Sequence, residues 1–245
     1  MEITPIGPGP GRPLIYGHRG ASAEERANTT TAYALAIAHG ADGVELDVRL
    51  TADRVLMVHH DDHDGDLGPF SRLSFDTVRA ADPDIPTLDE AWGAIGDTAF
   101  MNIEIKSEAG ETDNAAPRYV ADRVAGWIAA NDAAPRVLVS SFDPRITARV
   151  HAEAPDVLTG QLAGVHVDPE RVIADAANVG HRSVNLGLAA MHAEPASIVA
   201  TAAAAGLRVL VWTVNDPDDA VNLADAGVAG IFTDVPDVMV ARLVP

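Results

Sequence analysis

The sequence predicts an α/β fold, a closed (β/α)8 TIM barrel with a short β-hairpin extension after the second strand. Short β-rich segments alternate with alanine-rich helical segments along the 245 residues, and eight of the β-rich segments qualify as strands. Repeated β–α units give parallel strands, and eight parallel strands close into a barrel. No long linker rich in proline, serine or charge interrupts the alternation, so we expect a single domain over residues 1–245.

The predicted elements follow from local strand and helix signals. In chain order the strand segments are LIYGHRG, GVELDV, FMNIEI, VLVSSF, VLTGQL, SVNLG, RVLVWTV and GIFTD. A first helix is indicated over 28–40, with Gly40 as its C-terminal stop. Another is indicated over 87–95, where Thr87 and Glu90 have the spacing of a capping box.

One element after the second strand lies outside the eightfold count. The segment RLTADRVLMVHHDD (49–62) passes through a turn-like TADR into another β-rich run, too soon for a helical crossover. It therefore predicts an antiparallel hairpin. A turn of two or four residues centred in TADR would place His60 opposite Glu45, with both side chains on one face. A three-residue turn would select His59 instead.

Charge and composition restrict the partners of the protein. With 36 acidic residues against 17 basic ones, the formal net charge is -19, which disfavours nucleic acid and anionic lipid surfaces. The absence of cysteine excludes thiolate nucleophiles and zinc–thiolate sites. The N-terminus lacks the pattern of a secretory signal, and no apolar run reaches the ~20 residues of a membrane span. We therefore expect a cytoplasmic protein without stable membrane association, whose oligomeric state the sequence does not predict.

Charged side chains alternate with apolar ones in two of the predicted strands. GVELDV places Glu45 and Asp47 on one face, and MNIEIK does the same for Glu104 and Lys106. In barrels of this kind the functional groups lie at the carboxyl ends of the strands, so we expect these side chains to converge there. The alternative is a pair of edge strands with one wet face. Three carboxylates without thiolates suit one hard divalent cation, Mg²⁺ or Ca²⁺.

Imidazoles and fixed cations occur at the same strand ends. His18 and Arg19 end the first strand, and His60 follows the hairpin. Two histidines on opposite sides of a bound group can act as general base and general acid near neutral pH, while Arg19 and Lys106 neutralise an anion. Together with a divalent cation, these groups indicate cleavage of a phosphodiester. Lys106 is the only lysine beside sixteen arginines, which reflects either chance or a need for a compact ammonium.

The chain resembles the glycerophosphodiester phosphodiesterase family in a series of motifs. The string HRGASAEERANTTTAYALAIAHGADGVELDVRLTADRVLMVHHD (18–61) resembles the family's signature region, with HRG, a PENT-like segment, GAD-x-x-E-x-D, T-x-D and HD. Further along, IPTLDEA, NIEIK, SSFD, VWTVND and GIFTDVP are similar to the family's later landmarks and keep their order. The motifs extend over nearly the whole chain, which makes the combined resemblance specific.

This resemblance implies a metal-dependent barrel enzyme of lipid and glycerol metabolism that converts glycerophosphodiesters to glycerol 3-phosphate and an alcohol. The residues it implies are the catalytic pair His18 and His60, the metal ligands Glu45, Asp47 and Glu104, and the phosphate-holding Arg19 and Lys106. It also implies attack of a substrate hydroxyl on phosphorus and a cyclic phosphate that water opens. Trp212, which closes the seventh strand, would pack against the substrate at the barrel mouth or fill the core.

Two segments depart from the pattern of the family. Residues 26–29 read RANT in place of PENT, which removes an acidic side chain from the first loop, although Glu24 or Glu25 could reach the same space. The connection after His60 is short and lacks the usual R-T-T run, which leaves the substrate preference open. The alternatives are therefore a related barrel acting on lysophospholipids or sugar phosphodiesters, and a non-catalytic phosphate-binding barrel.

Overall fold

A computed structural model of the chain describes residues 4–7, 12–106 and 117–244. The N-terminal segment, from which a cytoplasmic protein was predicted, therefore lies partly outside the described residues. The strands of the described residues are β1 (Leu14–His18), β2 (Gly43–Leu50), β3 (Leu56–Val58), β4 (Phe100–Ile105), β5 (Val137–Ser141), β6 (Leu158–Ala163), β7 (Ser183–Gly187), β8 (Arg208–Trp212) and β9 (Gly230–Thr233). The helices are α1 (Thr30–Ala38), α2 (Phe75–Ala81), α3 (Leu88–Ile95), α4 (Pro117–Ala130), α5 (Pro144–Glu153), α6 (Pro169–Val179), α7 (Leu188–Met191), α8 (Pro195–Ala204), α9 (Pro217–Ala226) and α10 (Pro236–Leu243).

Eight parallel strands close into a barrel, which confirms the predicted fold class. Around the barrel the order is β1, β9, β8, β7, β6, β5, β4 and β2, and the pairing of β1 with β2 completes the circle. Strand β2 shows why these sequences form a barrel wall. Its Val44, Leu46 and Val48 join the large apolar cluster that the surrounding helices cover, while the alternate Glu45 and Asp47 project from the other face.

Strand β3 pairs antiparallel with β2, which confirms the hairpin, but in a register different from the one expected. A loop of five residues, 51–55, joins the two strands. This odd length places His59, rather than His60, opposite Asp47, and the His59 N–H donates to the Asp47 carbonyl at 2.9 Å. Strand β3 ends at Val58, and the chain then leaves the sheet. The ladder argument for His60 was therefore wrong, and another contact determines its position.

Helix termini carry the signals expected from the sequence. Thr87 and Glu90 form the predicted capping box at the start of α3, and Gly40 follows α1 with a φ of 90°. Helices α5, α6 and α9 each begin with an aspartate N-cap followed by proline. In the part of the chain that the structure describes, no helix is long and apolar enough to cross a membrane.

An apolar cluster fills the barrel interior below the site. Its members are Ile6, Leu14, Tyr16, Leu138, Leu210, Ala229 and Phe232. The Tyr16 ring lies 5.4 Å from the Phe232 ring, and its hydroxyl donates to the Pro5 carbonyl at 2.6 Å. The N-terminal segment thus packs against the amino end of the barrel. This closed floor leaves the carboxyl ends of the strands as the place for polar groups.

Candidate active site

A cavity of about 610 Å³ opens at the carboxyl ends of the barrel strands. Seven of the eight residues singled out from the sequence line it: His18, Arg19, Glu45, His60, Glu104, Lys106 and Trp212. The eighth, Asp47, is fully buried and contacts both Arg19 and Lys106. The structure therefore brings the whole predicted set together, and Trp212 lies at the cavity rather than only in the core.

The HRG motif forms a tight turn at the end of β1, where the Gly20 N–H donates to the Gly17 carbonyl at 3.1 Å. Arg19 and Gly20 both adopt positive φ angles, of 59° and 88°. A β-carbon on Gly20 would lie 2.5 Å from the backbone of Ala32 in α1, so only glycine allows this close approach. The same turn points the Arg19 N–H at Glu45 Oε2, which accepts it at 2.9 Å. The motif thus fixes the position of one carboxylate.

Three carboxylates form a buried cluster between β2 and β4. One oxygen each from Glu45, Asp47 and Glu104 lies within 4.8 Å of the other two. Burial, together with the charge of Asp47, raises the pKa of Glu45 to about 8. Glu45 Oε1 is buried and has no hydrogen-bond partner among the described residues. An unpartnered carboxylate oxygen in a cluster of like charges fits a bound cation, and a donor set of oxygens alone fits Mg²⁺ or Ca²⁺.

Lys106 and Arg19 contact this cluster and line the cavity beside it. Lys106 Nζ is 2.9 Å from Asp47 Oδ1 and also forms an ion pair with Glu104, while Arg19 Nε is 3.2 Å from Asp47 Oδ2. Burial opposes the ionisation of Asp47, but Lys106 and Arg19 outweigh it and lower the pKa of this carboxyl. Because both cations also line the cavity, they can contact an anion there while they compensate the carboxylates.

His18 is oriented by an aspartate that the sequence analysis missed. His18 Nδ1 lies 2.7 Å from Asp234 Oδ1, and Asp234 also accepts hydrogen bonds from Ser22 Oγ at 2.9 Å and Asn215 Nδ2 at 2.7 Å. Burial opposes ionisation, yet the hydrogen bonds from His18 and Asn215 lower the pKa of Asp234 to about 2. Burial likewise lowers the pKa of His18, but Asp234 and Glu45 outweigh it and raise this pKa overall.

Asp234 could have been found from the predicted topology. It ends the segment GIFTD, the last of the eight predicted strands, and closure of a barrel places the last strand beside the first. An acidic residue at the end of the last strand is thus a neighbour of a histidine at the end of the first.

His60 reaches the cavity because a buried arginine holds its backbone. Arg49, on the inner face of β2, donates from Nε and Nη2 to the His60 carbonyl at 3.0 and 2.6 Å. His60 Nδ1 lies 2.8 Å from Asp61 Oδ1. The adjacent His59 turns away and packs edge-on against Phe70, with ring centroids 5.1 Å apart. Burial and the nearby charge of Lys106 lower the pKa of His60.

The altered first loop keeps its asparagine at the site. Asn28 has a φ of 62° and donates from Nδ2 to Asp47 Oδ2 at 2.7 Å. Arg26 pairs instead with Asp82, and Glu24 Oε1 lies 2.8 Å from His39 Nε2. Glu24 therefore does not replace the missing acid near the carboxylates. Asn28 is a contact to the cluster that the sequence analysis did not single out.

Fold and site together define the class of the protein. A barrel that gathers imidazoles, carboxylates and cations at the carboxyl ends of its strands belongs to the (β/α)8-barrel enzymes. Within that class, residues 18–238 match the model of the glycerophosphoryl diester phosphodiesterase family, and the chain belongs to this family. It is thus a phosphoric diester hydrolase, as its motifs had implied.

Individual relatives agree with this assignment along the whole chain. The glycerophosphodiester phosphodiesterase of Caldanaerobacter subterraneus subsp. tengcongensis is 29% identical over 245 residues, which cover 93% of this chain and 96% of the relative. A putative glycerophosphoryl diester phosphodiesterase from Silicibacter pomeroyi is 25% identical and superposes with a TM-score of 0.85 over 98% of this chain and 95% of its own. An Oleispira antarctica phosphodiesterase in complex with the product sn-glycerol-3-phosphate, 22% identical, shares the fold with a TM-score of 0.76 over 94% of this chain and 96% of its own.

Proposed function

We propose that this protein hydrolyses glycerophosphodiesters to glycerol 3-phosphate and an alcohol, with His18 and His60 as its acid–base pair and one divalent cation. The observation that carries the proposal is that both imidazoles and the buried carboxylates share one cavity. A barrel that only bound phosphate would need no such pair of proton-transfer groups. The product bound to the Oleispira antarctica relative supports glycerol 3-phosphate as the common product.

Glu45, Asp47 and Glu104 would hold the cation. The unpartnered Glu45 Oε1 and the crowding of three carboxylates are the features of this chain that favour it. A bound Mg²⁺ or Ca²⁺ would supply Lewis-acid compensation of the phosphate charge. Arg19 and Lys106, at the edge of the carboxylate cluster, would add fixed positive charge on the cavity side.

Proton transfer falls to the two imidazoles. In the reaction implied by the family, a substrate hydroxyl next to the phosphate attacks phosphorus while one imidazole accepts its proton. The other imidazole donates a proton to the departing alcohol, and water then opens the cyclic phosphate with the roles exchanged. Asp234 would hold His18 through Nδ1, which leaves Nε2 for the reacting group. Arg49 would hold the backbone of His60 in the cavity.

A small panel of substrates tests this proposal. Purified protein supplied with Mg²⁺ or Ca²⁺ is incubated with glycerophosphocholine, glycerophosphoethanolamine or glycerophosphoinositol, and glycerol 3-phosphate and the free alcohol are quantified. We expect stoichiometric release of both products, and its loss in His18→Ala. Binding of these compounds without turnover would favour the non-catalytic phosphate-binding barrel. Hydrolysis of a sugar phosphodiester assayed in parallel, without turnover of the glycerophosphodiesters, would point to that alternative substrate class.

A further inference from the structure

The cavity lining divides into a charged sector and an apolar sector. Most of the charged lining residues come from β1, β2 and β4, which are neighbours in the barrel, and from the residues after β3; the exceptions are Asp143 and Arg145, which follow β5. The remaining arc, from β5 to β9, contributes mainly apolar side chains, including Phe142, Leu162, Trp212 and Phe232. If the phosphate lies in the charged sector, then one of its two ester substituents lies along this apolar wall.

Polar atoms on the apolar wall are largely engaged with the protein itself. Ser141 Oγ donates to the Ile105 carbonyl at 2.7 Å, and Trp212 Nε1 donates to the Asn185 carbonyl at 3.2 Å. At the rim, Asp143 and Arg145 pair with each other at 2.6 Å. A substituent rich in hydroxyls would therefore find few partners here among the described residues, and its desolvation would be poorly compensated. An alkyl chain would lose no hydrogen bond.

The wall also extends toward solvent as an aromatic rim. Phe142 is 46% exposed and meets Trp212 edge-on, with ring centroids 5.7 Å apart. The cavity volume of about 610 Å³ falls in the range of sites for drug-sized ligands, which leaves room for a chain beside the glycerol phosphate. Phe142 is exposed and Trp212 is half-buried, so the pair gains apolar contact from a ligand that covers it.

We propose that the preferred substrates are phosphodiesters that carry one alkyl or acyl chain close to the phosphate, with the chain lying along the wall from Phe142 to Trp212. This inference rests on the proposed phosphodiesterase function and specifies its substrate class. The chain could be borne by the glycerol, as in a monoacyl glycerophosphodiester, or by the esterified alcohol. Both arrangements present the same chemistry to the wall.

Two homologous series of substrates test the inference. One series carries butanoyl, hexanoyl and octanoyl chains on the terminal hydroxyl of the glycerol of glycerophosphoethanolamine, so that the hydroxyl next to the phosphate stays free. The other series carries butyl, hexyl and octyl alcohols on glycerol 3-phosphate. All are used below their micelle concentrations, so that only monomers are compared. Because the wall covers one side of the chain, we expect kcat/KM to rise about twofold per methylene in the series that fits. The rising series identifies which ester substituent lies on the wall.

Each outcome has a separate meaning for the two proposals. If unsubstituted glycerophosphoethanolamine is hydrolysed and kcat/KM is flat or falls with chain length in both series, the chain inference is wrong and the phosphodiesterase function stands. If no compound of either series or its unsubstituted parent is hydrolysed, both proposals are wrong.

A matched pair of variants tests where the chain lies. Phe142→Ser should reduce the dependence of kcat/KM on chain length to about half of its wild-type slope. Val244→Ser removes an apolar side chain of similar exposure, 39%, after the last helix and outside the cavity, and should keep the wild-type slope. An unchanged slope in Phe142→Ser, with the melting temperature also unchanged, would contradict the placement of the chain.

Discussion

Alanine substitution of the tandem histidines tests the assignment of the second imidazole. His60 lines the cavity, and the loss of a general acid or base of this kind costs on the order of 10³-fold in kcat. His59 instead packs edge-on against Phe70 at 5.1 Å, a contact worth about 1 kcal/mol. His59→Ala should therefore lower the melting temperature by about 3 °C and change kcat by no more than about threefold.

The assay compares turnover and stability in the same preparations. Glycerol 3-phosphate release is measured under saturating substrate for the wild type and both variants, and thermal unfolding is followed by circular dichroism. We expect His60→Ala to lose activity with a melting temperature close to the wild type, because its ring is partly exposed. The reverse ranking in kcat would mean that His59 carries the proton, and that the bend after β3 has been misread.

Three further substitutions test the roles of Arg49, Lys106 and His181. Arg49→Gln should lower kcat about tenfold in the wild type but not in His60→Ala, because Arg49 acts by holding the His60 carbonyl. Additive losses in this double-mutant cycle would argue against that role. Lys106→Arg should lower kcat/KM at least about tenfold, because the Lys106 side chain is only 8% exposed and its ammonium pairs with two carboxylates. Wild-type activity in this variant would mean that any cation serves. Burial lowers the pKa of His181 to about 4 from 6.5, so the stability that its neutral imidazole contributes is complete above pH 6.5 and is lost as the pH falls toward 4. The free energy of unfolding should therefore fall between about pH 7.5 and about pH 5 by about 2 kcal/mol more in the wild type than in His181→Gln. An equal fall in both proteins would refute a buried neutral imidazole.

Local signals account for most of what could be predicted from the sequence. The capping box of Thr87 and Glu90 depends on residues three apart, and the alternation of Glu45 and Asp47 depends on the period of a strand. Both were read correctly because no tertiary contact is needed to produce them. Barrel closure then follows from the number of β–α units, which is why residues as distant as His18 and Glu104 could be expected at one site.

The register of the hairpin could not be predicted from such local signals. The register depends on the length of the loop between β2 and β3, which has five residues. Arg54 adopts a φ of 65° in this loop, at a position where a glycine would ordinarily indicate the turn in the sequence. Strand parity then favours His59, whereas the contact between Arg49 and the His60 carbonyl holds the His60 backbone beside the cavity. That contact joins β2 to a segment outside the ladder, so neither periodicity nor turn chemistry could reveal it.

The partners of the site residues depend on contacts between distant segments. Asp234 approaches His18 across the seam where β9 meets β1, and Asn28 reaches Asp47 from a loop whose other residues have changed. The loop lacks the acid of the family motif but retains its asparagine, and it is the asparagine that contacts the carboxylates. In both cases the interacting residues were within recognised motifs, but their pairing required the three-dimensional arrangement.

We expect the buried acidic side chains of β2 and β4 to bind one divalent ion that the reaction needs. The most direct measurement is glycerol 3-phosphate release by protein stripped with EDTA and then titrated with Mg²⁺ or Ca²⁺. Activity should be lost in the chelator, return on saturation with one ion per chain, and require at least about tenfold more ion in Glu104→Gln. Undiminished turnover in excess chelator would contradict this role of the ion.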